Sequence, residues 1–324
     1  MCRRRRTIVF ASQHRLDLRL LCTPKTSIKQ TLDLWPAFPI IVRSAFYALD
    51  DWDNIIAALQ QRDRVCEIDP ILQGPQSKIA YQIMQEPFPL LDRLKLWVWD
   101  SKDLASSTLL GGSAHRLRVL HLDVFPSPAF DLPRILSSAG QLIDLQLKRV
   151  PSTGCISPWA LVAALSAAAR LKTLYLQFLR ATSPSNPRSI LPPSSGSFIS
   201  STLLCFTFLG PCNYLEDLLS RISVPPLECT RIIFFEQPKP NFDVSQLFHF
   251  LGRVEPQSLP DRAKVSVHGR HIYFSLTRSV ALPVGRPGRS EWLWFELPFR
   301  LRLELSLMTQ ICQQISLSLQ RANP

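Results

Sequence analysis

The chain has 324 residues, 46% of them apolar, and a formal net charge of +12, enough apolar content to bury a large core. Eleven Gly against 27 Pro disfavour the Gly-rich loops that cradle phosphates, and with them nucleotide enzymes, while Pro marks turns between short elements. The excess charge sits at the ends: residues 1–30 carry eight Lys/Arg against one Asp, residues 261–324 nine against four, and residues 31–260 twenty of each sign. That neutral middle lacks the gathered basic surface of a nucleic-acid reader.

From the start of the chain, Arg3–Arg6 reads as a solvated basic end, and the apolar Ile8–Ala11 is shorter than the ~7–15 apolar residues of a signal peptide. Arg15–Leu20 alternates strictly and predicts a strand with one buried face. A second short strand is predicted at Pro39–Val42. Ile55, Ile56 and Leu59 at helical spacing behind Asp50 and Asp51 predict a helix over Asp51–Gln61. Arg64–Ile68 predicts a further strand, with Asp63 as the first position of its frame.

Beyond it one apolar frame recurs five times: Leu91-x-x-Leu94-x-Leu96, Leu117-x-x-Leu120-x-Leu122, Leu142-x-x-Leu145-x-Leu147, Leu171-x-x-Leu174-x-Leu176 and Leu203-x-x-Phe206-x-Phe208. The first residues are 26, 25, 29 and 32 positions apart, the period of a leucine-rich repeat in which each unit supplies one strand and a return segment. Helices are predicted in the returns at Ser77–Gln85, Leu132–Ala139, Pro158–Ala169, Tyr214–Ile222 and Val244–Arg253, the third with Ser157 as N-cap and Pro158 at the first helical position. The expected fold is α/β, a leucine-rich-repeat-like horseshoe (solenoid) with a parallel inner sheet and outer helices.

The Ser/Pro-rich stretch 181–200 is expected to be a mobile excursion that explains the longest spacing. A sixth strand is predicted at Thr230–Phe235. Val265–Val267 and Ile272–Leu276 flank a hairpin turn at His268-Gly269-Arg270-His271. Gly285–Arg289 reads as a linker, and Trp292–Leu307 as a strand pair or a helix. The expected domains are therefore 1–22, a first strand with its basic lead; 23–276, the repeats; and 277–324, an irregular C-terminal segment.

Little here points to chemistry. Cys2, Cys22, Cys66, Cys155, Cys205, Cys212, Cys229 and Cys312 are scattered, with no C-x-x-C pair, and read as reduced thiols of a cytoplasmic or nuclear protein. His268 and His271 fall short of the three or four ligands of a metal site. No nucleophile elbow, zinc-protease, Walker or dinucleotide motif is present, so no catalytic, cofactor-binding or metal-ligating residue is assigned, and no cofactor is expected. The most apolar helical stretch, Trp159–Ala169, is below the ~20 residues that span a bilayer, so no membrane partner is expected.

The surface expected to matter follows from the period of two in a strand. With Leu94 and Leu96 inward, Arg93, Lys95 and Trp97 face the concave side. The next strands add Val119, His121, Asp123, Asp144, Gln146, Lys148, Thr173, Tyr175 and Gln177. A mixed face with aromatic and Arg anchors suits a protein partner.

Several phrases carry a family resemblance. The run Cys2–Ser12 followed by Arg15-Leu16-Asp17-Leu18 resembles the junction just after an F-box in the F-box plus leucine-rich-repeat-like family of mushroom-forming fungi. Leu34-Trp35-Pro36, Asn54–Leu59, Arg62–Val65, Met84–Pro89, Leu110–Ala114 and Tyr214–Leu218 are similar to that family's recurring phrases, so the resemblance runs from residue 2 to about 276. On it, the chain starts in the last F-box helix, with Arg5 where that helix usually has Trp. The resemblance implies the substrate-recognition part of a cullin (SCF-type) ubiquitin ligase receptor, whose F-box docks on the Skp adaptor while the repeats hold the target. The alternative expectation is a stand-alone or decayed repeat scaffold without ligase coupling.

Overall fold

The computed structural model describes residues 19–25, 38–44, 52–72, 76–98, 109–124, 132–150, 156–179, 198–199, 202–223, 227, 229–234, 246–247, 250, 262–268, 271–280 and 288–298. The chain divides into two compact units, residues 1–142 and 143–324. The boundary falls inside the Leu142 frame, where no change of composition marks it.

In the first unit the strands β1 (Leu20–Cys22), β2 (Ile40–Arg43), β3 (Val65–Asp69), β4 (Ile71–Leu72), β5 (Arg93–Val98) and β6 (Val119–Val124) alternate with helices. These are α1 (Trp52–Leu59), α2 (Gln76–Ile83), a 3-10 turn at Leu109–Gly112 and α3 (Leu132–Ser138). The strands run parallel in the order β1-β2-β3-β5-β6, and β4 also pairs β5. Val42, Ile68, Leu94 and Leu120 are successive register partners, each 26 residues from the last. All four are fully buried. The frame of β3 therefore begins at Val65, which is buried, and not at Asp63. Pro70 takes the third apolar place of that frame, and having no N–H it also splits β3 from β4. Between Ile40 and Ile41 the register of β2 on β3 shifts by one residue. Cys66 is the extra residue of this bulge, and its thiol donates to the Ile40 carbonyl at 3.4 Å.

The second unit holds β7 (Asp144–Val150), α4 (Pro158–Leu165), β8 (Thr173–Phe178), β9 (Phe198–Ile199), β10 (Cys205–Gly210), α5 (Cys212–Leu219), β11 (Ile222–Ser223), β12 (Cys229–Phe234), β13 (Arg262–His268), β14 (His271–Val280) and β15 (Gly288–Pro298). Its sheet runs β7-β8-β10-β12-β15-β14-β13, parallel as far as β15 and antiparallel from there. Leu227 and Ile232 are buried, as is Thr230, the register partner of Phe206. They form a sixth frame in line with Leu203, Phe206 and Phe208. The hairpin at His268 and His271 forms as expected, with those two residues as its last register pair. Strand β15 overlaps the start of the strand pair or helix expected over Trp292–Leu307 and begins inside the stretch read as a linker, at Gly288. It lies between β12 and β14, with Leu293 opposite Thr230, a long-range pairing that local composition does not signal.

The core is a repeated device. Leu91, Leu117, Leu142 and Leu171 each donate a backbone N–H to the residue three places earlier, Phe88, Ala114, Ala139 and Ala168. Both members of every pair are buried. This turn folds each return segment into the start of the next strand. The backbones then lock onto the preceding strand, through Arg118 N–H to Asp92 O at 2.8 Å in the first unit and Lys172 N–H to Ile143 O at 2.8 Å in the second.

The helices start and stop for local reasons. Ser157 caps α4, its hydroxyl accepting from the Ala160 N–H at 3.3 Å, with Pro158 behind it. The helix ends at Leu165, short of the expected Ala169, because Ala168 turns inward to meet Leu171. Helix α5 is shifted toward the N-terminus of its predicted span. Pro211 precedes it in extended conformation, and Ile222 instead pairs with Phe198 in the β9–β11 ribbon. The rest of the 181–200 excursion, most of the Arg15–Leu20 strand and most of the Val244–Arg253 helix lie outside the described residues. Gln246, Leu247 and Phe250 are helical, and the Glu216 carboxylate accepts from the N–H groups of Gln246 and Leu247 at 2.7 and 3.0 Å.

Candidate protein-binding faces

The period-two rule separates inward from outward residues on both sheets. On β5, Leu94, Leu96 and Val98 are fully buried, while Arg93 is exposed and Lys95 and Trp97 are half-buried. On β8, Leu174, Leu176 and Phe178 are buried, while Thr173, Tyr175 and Gln177 are half-buried. Each unit therefore presents its own outward face.

On the first unit, register lines the outward residues into rows across β2, β3, β5 and β6. Arg43, Asp69, Lys95 and His121 make one row; Ile41, Glu67, Arg93 and Val119 another; Trp97 and Asp123 stand side by side in a third, next to Ile71. Six residues expected on this face, Arg93, Lys95, Trp97, Val119, His121 and Asp123, thus share it. Arg43, Glu67 and Asp69 join them there without having been singled out. A frame counted from 65, 26 positions before Leu91, would have aligned them.

These charges are largely spent on one another. Arg43 donates to Glu67 Oε1 from Nη2 at 2.7 Å and from Nε at 3.2 Å. The Lys95 ammonium lies 3.9 Å from the Asp69 carboxylate. Asp92, just before β5, sits between Arg93 at 3.7 Å and Arg118 at 3.8 Å. Burial pushes the Asp69 carboxyl above its ordinary pKa, against the pull of Lys95 and Arg43. The bond to Glu67 holds the Arg43 guanidinium above its own ordinary value.

On the second unit, Asp144 aligns with Thr173 and Cys205, and Gln146 with Tyr175, Thr207 and Arg231. Gln146 Nε2 reaches Asp144 Oδ1 at 3.4 Å, and the Tyr175 hydroxyl donates to Gln177 Oε1 at 3.1 Å. Lys148 Nζ lies 5.3 Å from the centre of the Tyr175 ring, within the range of a cation–π contact. Just past Lys148 the strand bulges. Arg149 adopts φ 54° and the register shifts by one residue between Leu147 and Val150, a device that re-aims side chains at strand ends. Thr207 and Arg231 are the row members not singled out from the sequence: Thr207 lies in the Leu203 frame, whose outward residues are not part of the expected face, and Arg231 in a sixth frame predicted only as a strand.

Behind the second face, Phe178 packs on Tyr214 with ring centres 4.5 Å apart and on Phe208 at 5.8 Å. The Tyr214 hydroxyl donates to the Ile156 carbonyl at 3.2 Å, and burial pushes its pKa above the ordinary value. This cluster anchors α5 against β8 and β10 and holds the outward row of Tyr175 from behind.

Among the described residues, no three or more His, Cys, Asp or Glu stand together as a metal-binding group, and no helix is long and apolar enough to cross a membrane. Cys22, Cys66, Cys205 and Cys212 are thiols. No family model matches the chain, and no curated protein or solved structure matches it.

Proposed function

We infer that the chain is a protein-binding repeat domain, a leucine-rich-repeat-like horseshoe that serves as the substrate-recognition part of an F-box receptor for a cullin ubiquitin ligase. Catalysis then falls to partner proteins, in the cytoplasm or nucleus. The observation that carries the binding role is the placement of Trp97 and Tyr175. Each is half-buried in an outward row, and Tyr175 has Lys148 over its ring. Aromatic side chains held this way lose little entropy on binding and dominate interface energies. The 26-residue register of β2, β3, β5 and β6 supports the repeat reading. The ligase role rests on the F-box-like phrases in the sequence. The test is affinity purification of the tagged chain from a fungal host, probed for the Skp adaptor and cullin; recovery of both is expected, and recovery of neither would contradict ligase coupling.

A stand-alone scaffold is the second reading. The pairing of Arg43 with Glu67 and of Lys95 with Asp69 favours it, since charges committed to neighbours contribute less to a partner. It predicts that the Skp adaptor and cullin are both absent from the purified material.

A further inference from the structure

Phe88, Pro89, Leu90 and Leu91 form the turn that feeds β5, closed by the Leu91 N–H on the Phe88 carbonyl at 3.1 Å. Phe88 and Leu91 are buried, so the turn pushes Pro89 and Leu90 to the surface, where Leu90 is 36% exposed. Pro89 fixes the backbone at this point, and the apolar pair is held out at little further entropic cost. The matching turn before β6, from Ala114 to Leu117, exposes His115 and Arg116 instead. Because β5 and β6 run parallel, both turns lie at one edge of the first unit's sheet.

Three arginines gather at that edge. Arg93 and Arg118 share the Asp92 carboxylate at 3.7 and 3.8 Å, within ion-pair range but too long for a hydrogen bond. Their side chains are 48% and 57% accessible, and Arg116 is exposed. Among the described residues, none of these three guanidinium groups has a hydrogen-bond partner. One shared carboxylate against three cations leaves the edge positive, although residues 31–260 are neutral as a whole. The fold gathers here a charge that composition averages away.

We propose that this edge, at the starts of β5 and β6, binds an acidic peptide segment of the protein target. An apolar side chain of the segment rests on Pro89 and Leu90, and its carboxylates meet Arg93, Arg116 and Arg118. The proposal rests on the protein-binding reading and adds the chemistry of the target. A guanidinium is a planar fork that takes a carboxylate through two parallel hydrogen bonds, and here the forks stand beside an apolar surface that helps to exclude water. A phosphodiester chain has no apolar side chain to place on Leu90, so the edge fits a peptide better than a nucleic acid.

The test uses the full folded chain and a short fluorescein-labelled peptide with Glu residues on both sides of a central Leu, read by fluorescence anisotropy at low salt. Saturable binding is expected. The same peptide with Gln for Glu should bind about tenfold more weakly or worse, the worth of one charge-assisted hydrogen bond, and added salt should weaken the Glu peptide. Arg116→Ala and Arg118→Ala should each cost about threefold or more in affinity, with the melting temperature kept because both residues are exposed. Arg170→Ala, which removes an exposed arginine from the matching turn before β8 in the second unit, should cost nothing. No binding of the Glu peptide, equal binding of the Gln peptide, or equal losses in Arg170→Ala and Arg116→Ala would each overturn the site. Tighter binding of a labelled single-stranded RNA would overturn it as well. Partner recovery by the native chain reads the protein-binding role separately, so a partner recovered beside a probe that does not bind would remove the acidic site alone.

Discussion

Arg43 and Glu67 meet diagonally across β2 and β3: the register partner of Arg43 is Asp69, yet its guanidinium bonds Glu67 at 2.7 Å. The Glu67 side chain is 5% accessible and that of Arg43 51%. The arginine therefore brings a buried carboxylate its hydrogen bonds while keeping part of its own charge in water. Arg43→Ala should destabilise the chain by about 1–3 kcal/mol, the cost of stripping a partner from a buried polar group. Arg93→Ala, which loses only an exposed pair, should cost at most about 1 kcal/mol. Equilibrium urea unfolding compares them, and equal losses would mean that the Glu67 carboxylate does not depend on Arg43.

Gly210 ends β10 where two rings converge. A Cβ there would lie 2.7 Å from Phe178 Cδ2 and 2.8 Å from Phe208 Cζ. Gly210→Ala should therefore cost about 1–3 kcal/mol by overpacking. The further change Phe178→Leu should recover part of that loss, because it shortens the closer of the two side chains. Thermal melting of the single and double variants checks the pair; additive losses would show that the rings are not what Gly210 accommodates.

Asp69 makes stability depend on pH with a definite sign. Burial raises its folded-state pKa above the ordinary 3.8. Between those two values the folded chain keeps a proton that the unfolded chain has released. The contribution of this residue is therefore complete below pH 3.8 and is lost as pH rises through the folded value. Asp69→Asn, which cannot ionise, should lose less stability than the native chain over that rise. Urea midpoints measured across the acid range check it, and parallel curves for the two proteins would contradict the burial effect.

Much of this fold was legible because burial writes its period directly into the residues. Leu94, Leu120, Leu145 and Leu174 recur at strand positions, and the outward neighbours Lys95, His121, Gln146 and Tyr175 followed by alternation alone. What was hidden depends on single-residue events and distant pairing. The bulge at Cys66 and the positive φ of Arg149 each add one residue without disturbing composition. Pro70 masked the frame of β3, so the rows joining Glu67 to Arg93 and Asp69 to Lys95 were not seen. Strand β15 inserts beside β12 from 63 residues further along, as the partners Thr230 and Leu293 show, and only the folded chain reveals that.

The binding proposal separates core from face. Leu145 is fully buried in β7, so Leu145→Ala should cost roughly 2–5 kcal/mol. Trp97 and Tyr175 lie outward, and their truncation should lower the melting temperature far less. The most direct measurement is the yield of specific partner recovered with the tagged native chain and with Trp97→Ala and Tyr175→Ala, each beside its melting temperature. A loss of about tenfold or more, which is about 1.4 kcal/mol or more of binding energy, with folding retained is the predicted result. Undiminished recovery from both folded variants would contradict a binding role for these faces.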